Sequence, residues 1–164
     1  MCFESNLDDV PSDTWWLDTD ATIHTVNSLQ ELRNRRRLVD TELVVNMGNG
    51  VKVKVEHIGT VRLILVSKHV LNLSNTAFIP SIRRNLISVS VLDKCGYVFY
   101  FGNRKVTIFY DYVVAGTATF YDGLYKIDLL PTLDHASSSV FVVNTVLVSQ
   151  LLEGLPRTTP RHDS

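Results

Sequence analysis

The chain has 164 residues, of which 45% are hydrophobic and 20% charged, and its formal net charge is −1. This balance is typical of one folded domain with a modest core. It provides no overall attraction to nucleic acid or an acidic membrane, and no apolar run is long enough to span a bilayer. Cys2 and Cys95 are too few for a disulfide framework, so we expect a reducing, cytoplasmic environment.

The first predicted strand follows an acidic segment, residues 1–13, which Pro11 interrupts and which we expect to be a disordered leader. Residues 15–17 are Trp-Trp-Leu and supply the apolar bulk of a half-buried strand. Asp18 and Thr19 stand where this strand ends. Such residues are suited to bonding nearby backbone groups, which is a purely structural interpretation. The alternative interpretation is that Asp18 is a catalytic carboxylate.

A short helical turn and a basic cluster come next. Asn27 or Ser28 is a candidate N-cap for the turn. Its apolar residues, Leu29 and Leu32, are expected to be buried. The basic cluster, residues 33–37, contains four arginines. A phosphate-binding patch is one interpretation, but no aromatic residue is interleaved, so we favour a solvated turn between helix and strand.

From residue 43 onwards the pattern is one of short strands and turns. Residues 51–55 alternate strictly between valine and lysine, and the Gly-Asn-Gly before them indicates a hairpin. Residues 89–94 predict a short helix that ends at Gly96, and residues 97–110 predict an aromatic hairpin. Strands this short and frequent favour a barrel or sandwich, and we expect a barrel of roughly six strands.

Five motifs follow one another along residues 14–130. Residues 17–24 read Leu-Asp-Thr-Asp-Ala-Thr-Ile-His, residues 47–50 Met-Gly-Asn-Gly, and residues 58–61 Ile-Gly-Thr-Val. Residues 77–90 read Ala-Phe-Ile-Pro-Ser-Ile-Arg-Arg-Asn-Leu-Ile-Ser-Val-Ser, and residues 123–126 Gly-Leu-Tyr-Lys. In this order they resemble the protease segment of copia-type retrotransposon polyproteins, a group of retropepsin-like aspartic proteases.

The resemblance implies an all-β fold, a retropepsin-like closed or partly closed β-barrel with one or two short helices. It also implies an aspartic endopeptidase that works as a homodimer, with its own polyprotein as substrate. The implied site residues are Asp18 as the catalytic carboxylate and, in the supporting loops, Thr19, Asp20, Ala21, His24, Leu86, Ile87 and Ser88. Thr19 would brace the two loops across the dimer axis, His24 would pin its loop by hydrogen bonds, and residues 86–88 would cross behind it.

Asp20 is the main departure from the family pattern, which has glycine at this position. Glycine lets the backbone approach a substrate and adopt dihedrals that a Cβ disfavours. Two Asp18 carboxylates that share one proton would also face two further negative charges from Asp20, which raises their pKa values and repels the subunits. We therefore expect turnover to be weakened or abolished.

The rival interpretation is a non-catalytic β-barrel, either a transposon relic or a binding module. Residues 131–164 are expected to be a linker and a mostly disordered tail, beyond a barrel domain at residues 14–130. The chain resembles a severed protease segment, without the zinc knuckle or integrase of longer polyproteins. The five histidines have no metal-site spacing, so we expect neither a metal nor a cofactor. We expect neither nucleic acid nor a membrane as a partner.

Overall fold

The computed structural model describes residues 13–39 and 42–131, which form strands with little helix. The strands are β1 (Trp15–Asp18), β2 (Thr25–Val26), β3 (Arg33–Arg37), β4 (Val44–Asn46), β5 (Lys52–Lys54), β6 (His57–Ile64), β7 (Val70–Phe78), β8 (Asn85–Ser88), β9 (Tyr97–Gly102), β10 (Lys105–Tyr110), β11 (Val113–Tyr121) and β12 (Leu124–Ile127). A 3-10 turn, Leu29–Glu31, and one α-helix, α1 (Val89–Lys94), complete the secondary structure of this part. The predicted leader and tail lie almost wholly outside the described residues.

Ten of these strands form one sheet, and the remaining two form a separate hairpin. The sheet order is β3-β6-β7-β2-β8-β1-β12-β11-β10-β9, and the hairpin is β4-β5. β1 lies near the middle of the sheet. It runs parallel to β8, with Asp18 opposite Ser88, and antiparallel to β12. The strand that ends in Asp18 is therefore fixed by neighbours on both sides.

The two faces of β1 are buried in different ways. Trp15 and Leu17 point into the larger hydrophobic cluster, since alternate residues of a strand share a face. Trp16 points the other way, and the Arg84 guanidinium lies 4.3 Å from the centroid of its ring. Arg84 also pairs with the Asp122 carboxylate at 2.6 Å. One arginine thus covers Trp16 and ties the β7–β8 connection to the β11–β12 turn.

A smaller hydrophobic cluster lies against the β4–β5 hairpin. Its buried members are Leu38, Val55, Ala77, Ile79 and Ile82. Val45 and Val53 from the hairpin pack against it. Ile23, from the segment between β1 and β2, packs against the same cluster. The hairpin and the segment that follows β1 are therefore linked through shared apolar contacts.

The all-β fold class is confirmed, and several local predictions agree with the structure. α1 has the predicted bounds, and Gly96 just beyond it has a φ of +93°, a left-handed value that glycine tolerates best. The hairpin around the Gly-Asn-Gly turn and the aromatic hairpin β9–β10 are both present. The described residues contain twelve strands, more than the six or so expected; of these, β2 has only two residues and β3 is exposed on both faces, so neither has a readable strand pattern.

Residues 33–37 are solvent-exposed as predicted, but the prediction that they form a turn is wrong. These residues form β3, an edge strand with all five side chains exposed, and Asn34 has a φ of +49° at a bulge. Pairing with β6 uses the backbone alone, so arginine side chains can extend into water from a strand as easily as from a turn. The helical turn before it is present and Leu32 is buried, but the side chain of Ser28 makes no capping hydrogen bond.

Gly59 on β6 tests how closely β3 and β6 approach each other. A Cβ added there would lie 2.7 Å from the Arg33 carbonyl oxygen and 3.2 Å from the Arg35 Cα, both backbone atoms that cannot simply rotate away. We expect Gly59→Ala to lower the free energy of unfolding by about 1–3 kcal/mol, as overpacking does. Urea unfolding followed by circular dichroism measures this change.

Gly48 provides the matched control, since a Cβ there would meet nothing within 4 Å and its φ is not positive. Gly48→Ala should shift the free energy of unfolding by less than about 0.5 kcal/mol. Equal losses in the two variants would show that the close contact between β3 and β6 is not what Gly59 provides.

Candidate active-site loop

The chain turns after β1, and the Asp18 carboxylate organises this turn. Its Oδ1 atom accepts the backbone N–H of Asp20 at 2.8 Å and that of Ala21 at 3.1 Å. Within the described part of the chain, the Oδ2 atom makes no hydrogen bond. Asp18 is half-buried, so one carboxylate oxygen is anchored and the other remains available to a ligand.

Asp20 occupies the position where the resembling family has glycine. Its backbone lies outside the left-handed region that favours glycine, and its side chain is exposed. Its N–H still donates to Asp18, which needs no particular side chain. The backbone strain considered for this residue is therefore absent, and the unfavourable effects that remain are its charge and its extra bulk.

Ser88, at the end of β8, holds the far side of the loop. Its hydroxyl donates to the Ala21 carbonyl at 2.6 Å and accepts the Val91 N–H at 3.2 Å, which caps α1. The Ser90 hydroxyl lies 3.1 Å from the Ser88 hydroxyl. Ser88 is fully buried, so it links the loop, the strand and the helix away from water.

His24 attaches the same loop to β8 by a second bond. Its Nδ1 atom accepts the Ser88 backbone N–H at 2.9 Å, so the neutral ring carries its proton on Nε2. The side chain is almost completely buried, and burial lowers the pKa of His24 to about 4. Its carbonyl accepts the Ala77 N–H at 2.9 Å, which connects the loop to β7 as well.

The remaining predicted site residues take supporting or exposed positions. Leu86 and Ile87 pair through their backbones with Trp16 and Leu17, and Ile87 is fully buried behind β1. The Thr19 side chain is exposed and has no hydrogen bond to any other described residue. The structure thus brings residues 86–88 to the strand and loop that contain Asp18.

Sequence reasoning missed the role of Asn85. Its side chain is almost fully buried at the start of β8, and its Oδ1 atom accepts the Asn27 N–H at 3.0 Å. The Asn27 side chain donates to the Ile82 carbonyl at 3.4 Å. An asparagine directly before the apolar run that begins at Leu86 was the available signal, since a buried amide requires partners.

The described residues contain no group of three side chains suited to holding a metal ion. None of the helices in this part of the chain is long and apolar enough to cross a membrane.

Ser88→Ala should destabilise the fold through the loop. The variant leaves the Ala21 carbonyl and the Val91 N–H without their buried partner, which we expect to cost about 1–3 kcal/mol of the free energy of unfolding. Ser90→Ala is the matched control, because its hydroxyl is only half-buried and its bond to Ala21 is long, at 3.4 Å. Chemical denaturation of both variants should show the larger loss at Ser88; similar losses would contradict its assigned position as the central link.

His24 should make the fold acid-sensitive. Its folded-state pKa of about 4 lies below the ordinary value of 6.5, so the unfolded chain binds the proton more readily. The stabilisation is complete above pH 6.5 and is lost as the pH falls towards 4. At about 1.4 kcal/mol per pKa unit, the loss approaches roughly 3 kcal/mol.

Urea unfolding between pH 7 and pH 4 measures this loss. His24→Asn keeps a hydrogen-bond acceptor near the Ser88 N–H but does not titrate in this range, so its stability should depend much less on pH. If the two proteins lose stability in parallel, His24 is not the responsible group.

A search of curated proteins and a search of solved structures each found no significant match. A family profile described as "Pol polyprotein, beta-barrel domain" matches residues 15–97, about half of the chain, from β1 to the start of β9. That range contains the Asp18 loop, β8 and α1. The chain therefore belongs to the family of Pol polyprotein beta-barrel domains.

Proposed function

We propose that this chain is the protease segment of a copia-type retrotransposon Pol polyprotein, an aspartic endopeptidase weakened or silenced by Asp20. One observation carries the proposal. The Asp18 carboxylate lies at the end of a central strand with Oδ1 fixed by two backbone N–H groups and Oδ2 unengaged within the described residues. A carboxylate held in this way is positioned before any substrate arrives, which is what acid–base catalysis requires.

The proposed chemistry needs two copies of the chain, each contributing Asp18. Two carboxylates brought together share one proton, because both cannot ionise at close range. The ionised carboxylate takes a proton from water, and the protonated one donates to the carbonyl oxygen of the peptide bond. The Thr19 hydroxyl, which is exposed and without a partner among the described residues, is available to brace the second copy.

The β4–β5 hairpin is the element we propose to cover a bound peptide. Support comes from the small hydrophobic cluster, which contacts both the hairpin and Ile23 in the segment after β1. The hairpin pairs with no strand of the ten-stranded sheet. It can therefore move without breaking the ladder that positions Asp18. The substrate would be an extended segment of the chain's own polyprotein, in the cytoplasm.

Asp20 is the reason for expecting little turnover. Its side chain is exposed beside Asp18, so its charge would enter any dimer in which the two loops meet. Four carboxylates in one site favour extra protonation and repel the two copies. The second candidate function, a non-catalytic β-barrel that binds or is a relic, is favoured by this same charge.

Cleavage of a mixed peptide library at about pH 5.5 tests the proposal, at a pH where His24 is still mostly neutral. The native chain should cut weakly or not at all. Asp20→Gly should raise the cleavage rate by about 100-fold or more, since it removes both charge and bulk at the loop. Asp18→Asn combined with Asp20→Gly should abolish cutting, because the reacting carboxyl is lost.

Asp20→Asn separates the two effects of Asp20, since it removes the charge and retains the size. A rate close to that of Asp20→Gly would assign the inhibition to charge, and a rate near the native one would assign it to bulk. If every variant folds and none cuts, the chain is a non-catalytic barrel. Cutting that survives Asp18→Asn would assign the activity to another residue or to a contaminant.

A further inference from the structure

The two edges of the ten-stranded sheet have opposite chemistry. One edge is β3, which has four arginines among five exposed residues and a bulge between Arg33 and Arg36. Charged side chains and bulges prevent an edge strand from pairing with other chains. The other edge is β9, Tyr-Val-Phe-Tyr-Phe-Gly, which has no charged residue and pairs with β10 in unbroken register.

β9 directs part of its backbone away from β10, and among the described residues no strand lies beyond it. Gly102 and Lys105 pair across a two-residue turn, and the residues that flank such a turn exchange hydrogen bonds. From this pair onwards, residues that hydrogen-bond to β10 alternate along β9 with residues that do not. Tyr97, Phe99 and Phe101 therefore point their N–H and C=O groups towards the open edge.

Exposed apolar side chains lie beside this open edge. Val98 is 60% exposed and Tyr100 is 71% exposed, and the two share one face of β9. Phe109, opposite Val98 on β10, is half-buried on the same face. Free backbone groups next to apolar surface are what an added strand covers.

We propose that β9 pairs antiparallel with β9 of a second copy of this chain. The strand is self-complementary under a two-fold axis, because an uncharged edge meets another uncharged edge and no like charges are opposed. β3 of a second copy is a poor partner, since its arginines and bulge would have to enter the ladder. Each copy has one β9 edge, so this pairing by itself joins two copies in a closed two-fold contact.

A two-fold axis through Phe99 pairs the largest number of outward-facing β9 residues. It pairs Tyr97 with Phe101 of the second copy and sets Val98 opposite Tyr100, with the outward N–H and C=O groups satisfied on both sides. The exposed Val98 and Tyr100 side chains then cover each other across the contact.

This contact is separate from the Asp18 loop. β9 is the last strand at one edge of the sheet, four positions from β1 in the sheet order. The contact uses β9 and no residue of the Asp18 loop, so the inference does not rest on the proposed protease activity.

Sedimentation equilibrium of the full chain at about 50 μM provides the test. Tyr100→Lys and Val98→Glu each place a charge in the contact and should weaken association about 100-fold or more, so that the assembly mass halves. Both residues are exposed, so folding should persist, and circular dichroism checks it. Val66→Lys, an equally exposed valine in the β6–β7 turn, should leave the mass unchanged.

Mixing the two charged variants tests the register. The lysine introduced by Tyr100→Lys in one copy then faces the glutamate introduced by Val98→Glu in the other, so the mixture should regain the mass that each variant lost. Hydrogen exchange at Tyr97, Phe99 and Phe101 should slow only in the associated species.

Three results would overturn the proposal: a native chain that is monomeric at this concentration, a mass unaffected by Tyr100→Lys, or a mixture that does not reassociate. Slow exchange of the outward β9 amides in a monomer would show instead that another part of the chain covers the edge.

Discussion

The parallel pairing of β1 with β8 is the contact on which the Asp18 loop depends. The two hydrogen bonds within the Asp18 turn are exposed or only partly buried, so water competes for the same groups and these bonds alone stabilise the turn weakly. β8 supplies what the turn lacks, since Ser88 donates its hydroxyl to Ala21 and its N–H to His24. The bond to His24 is buried and the bond to Ala21 is partly buried, so breaking either one leaves a polar group with little or no access to water. The position of Asp18 is therefore a property of the tertiary fold.

This dependence explains which features could be predicted from sequence. The end of α1 at Gly96 and the hairpins are set by neighbouring residues, so local patterns revealed them. The closeness of β8 to the Asp18 loop was reached only through a family resemblance, because no local signal pairs residue 18 with residue 88. β3 was misassigned for a related reason: an edge strand with both faces exposed has no alternation of apolar and polar residues.

Asp20 shows how a substitution can be neutral for a fold and harmful for a proposed site. The structure needs only the N–H of this residue, and its backbone adopts dihedrals open to any L-residue. The side chain points into solvent, where its charge costs little in a single chain. The cost would arise in the proposed dimer, where a second copy would bring two more carboxylates, so selection for folding alone would not remove Asp20.

His24 makes the support of the Asp18 loop sensitive to acid. A pair of carboxylates that shares one proton works best at mildly acidic pH. The loop that would hold each carboxylate is pinned by a neutral imidazole, and that imidazole becomes protonated as the pH falls towards 4. Protonation at Nδ1 removes the acceptor that faces the Ser88 N–H and places a charge in the core. In the proposed protease, the acidity that favours the shared proton would therefore also loosen the support of Asp18.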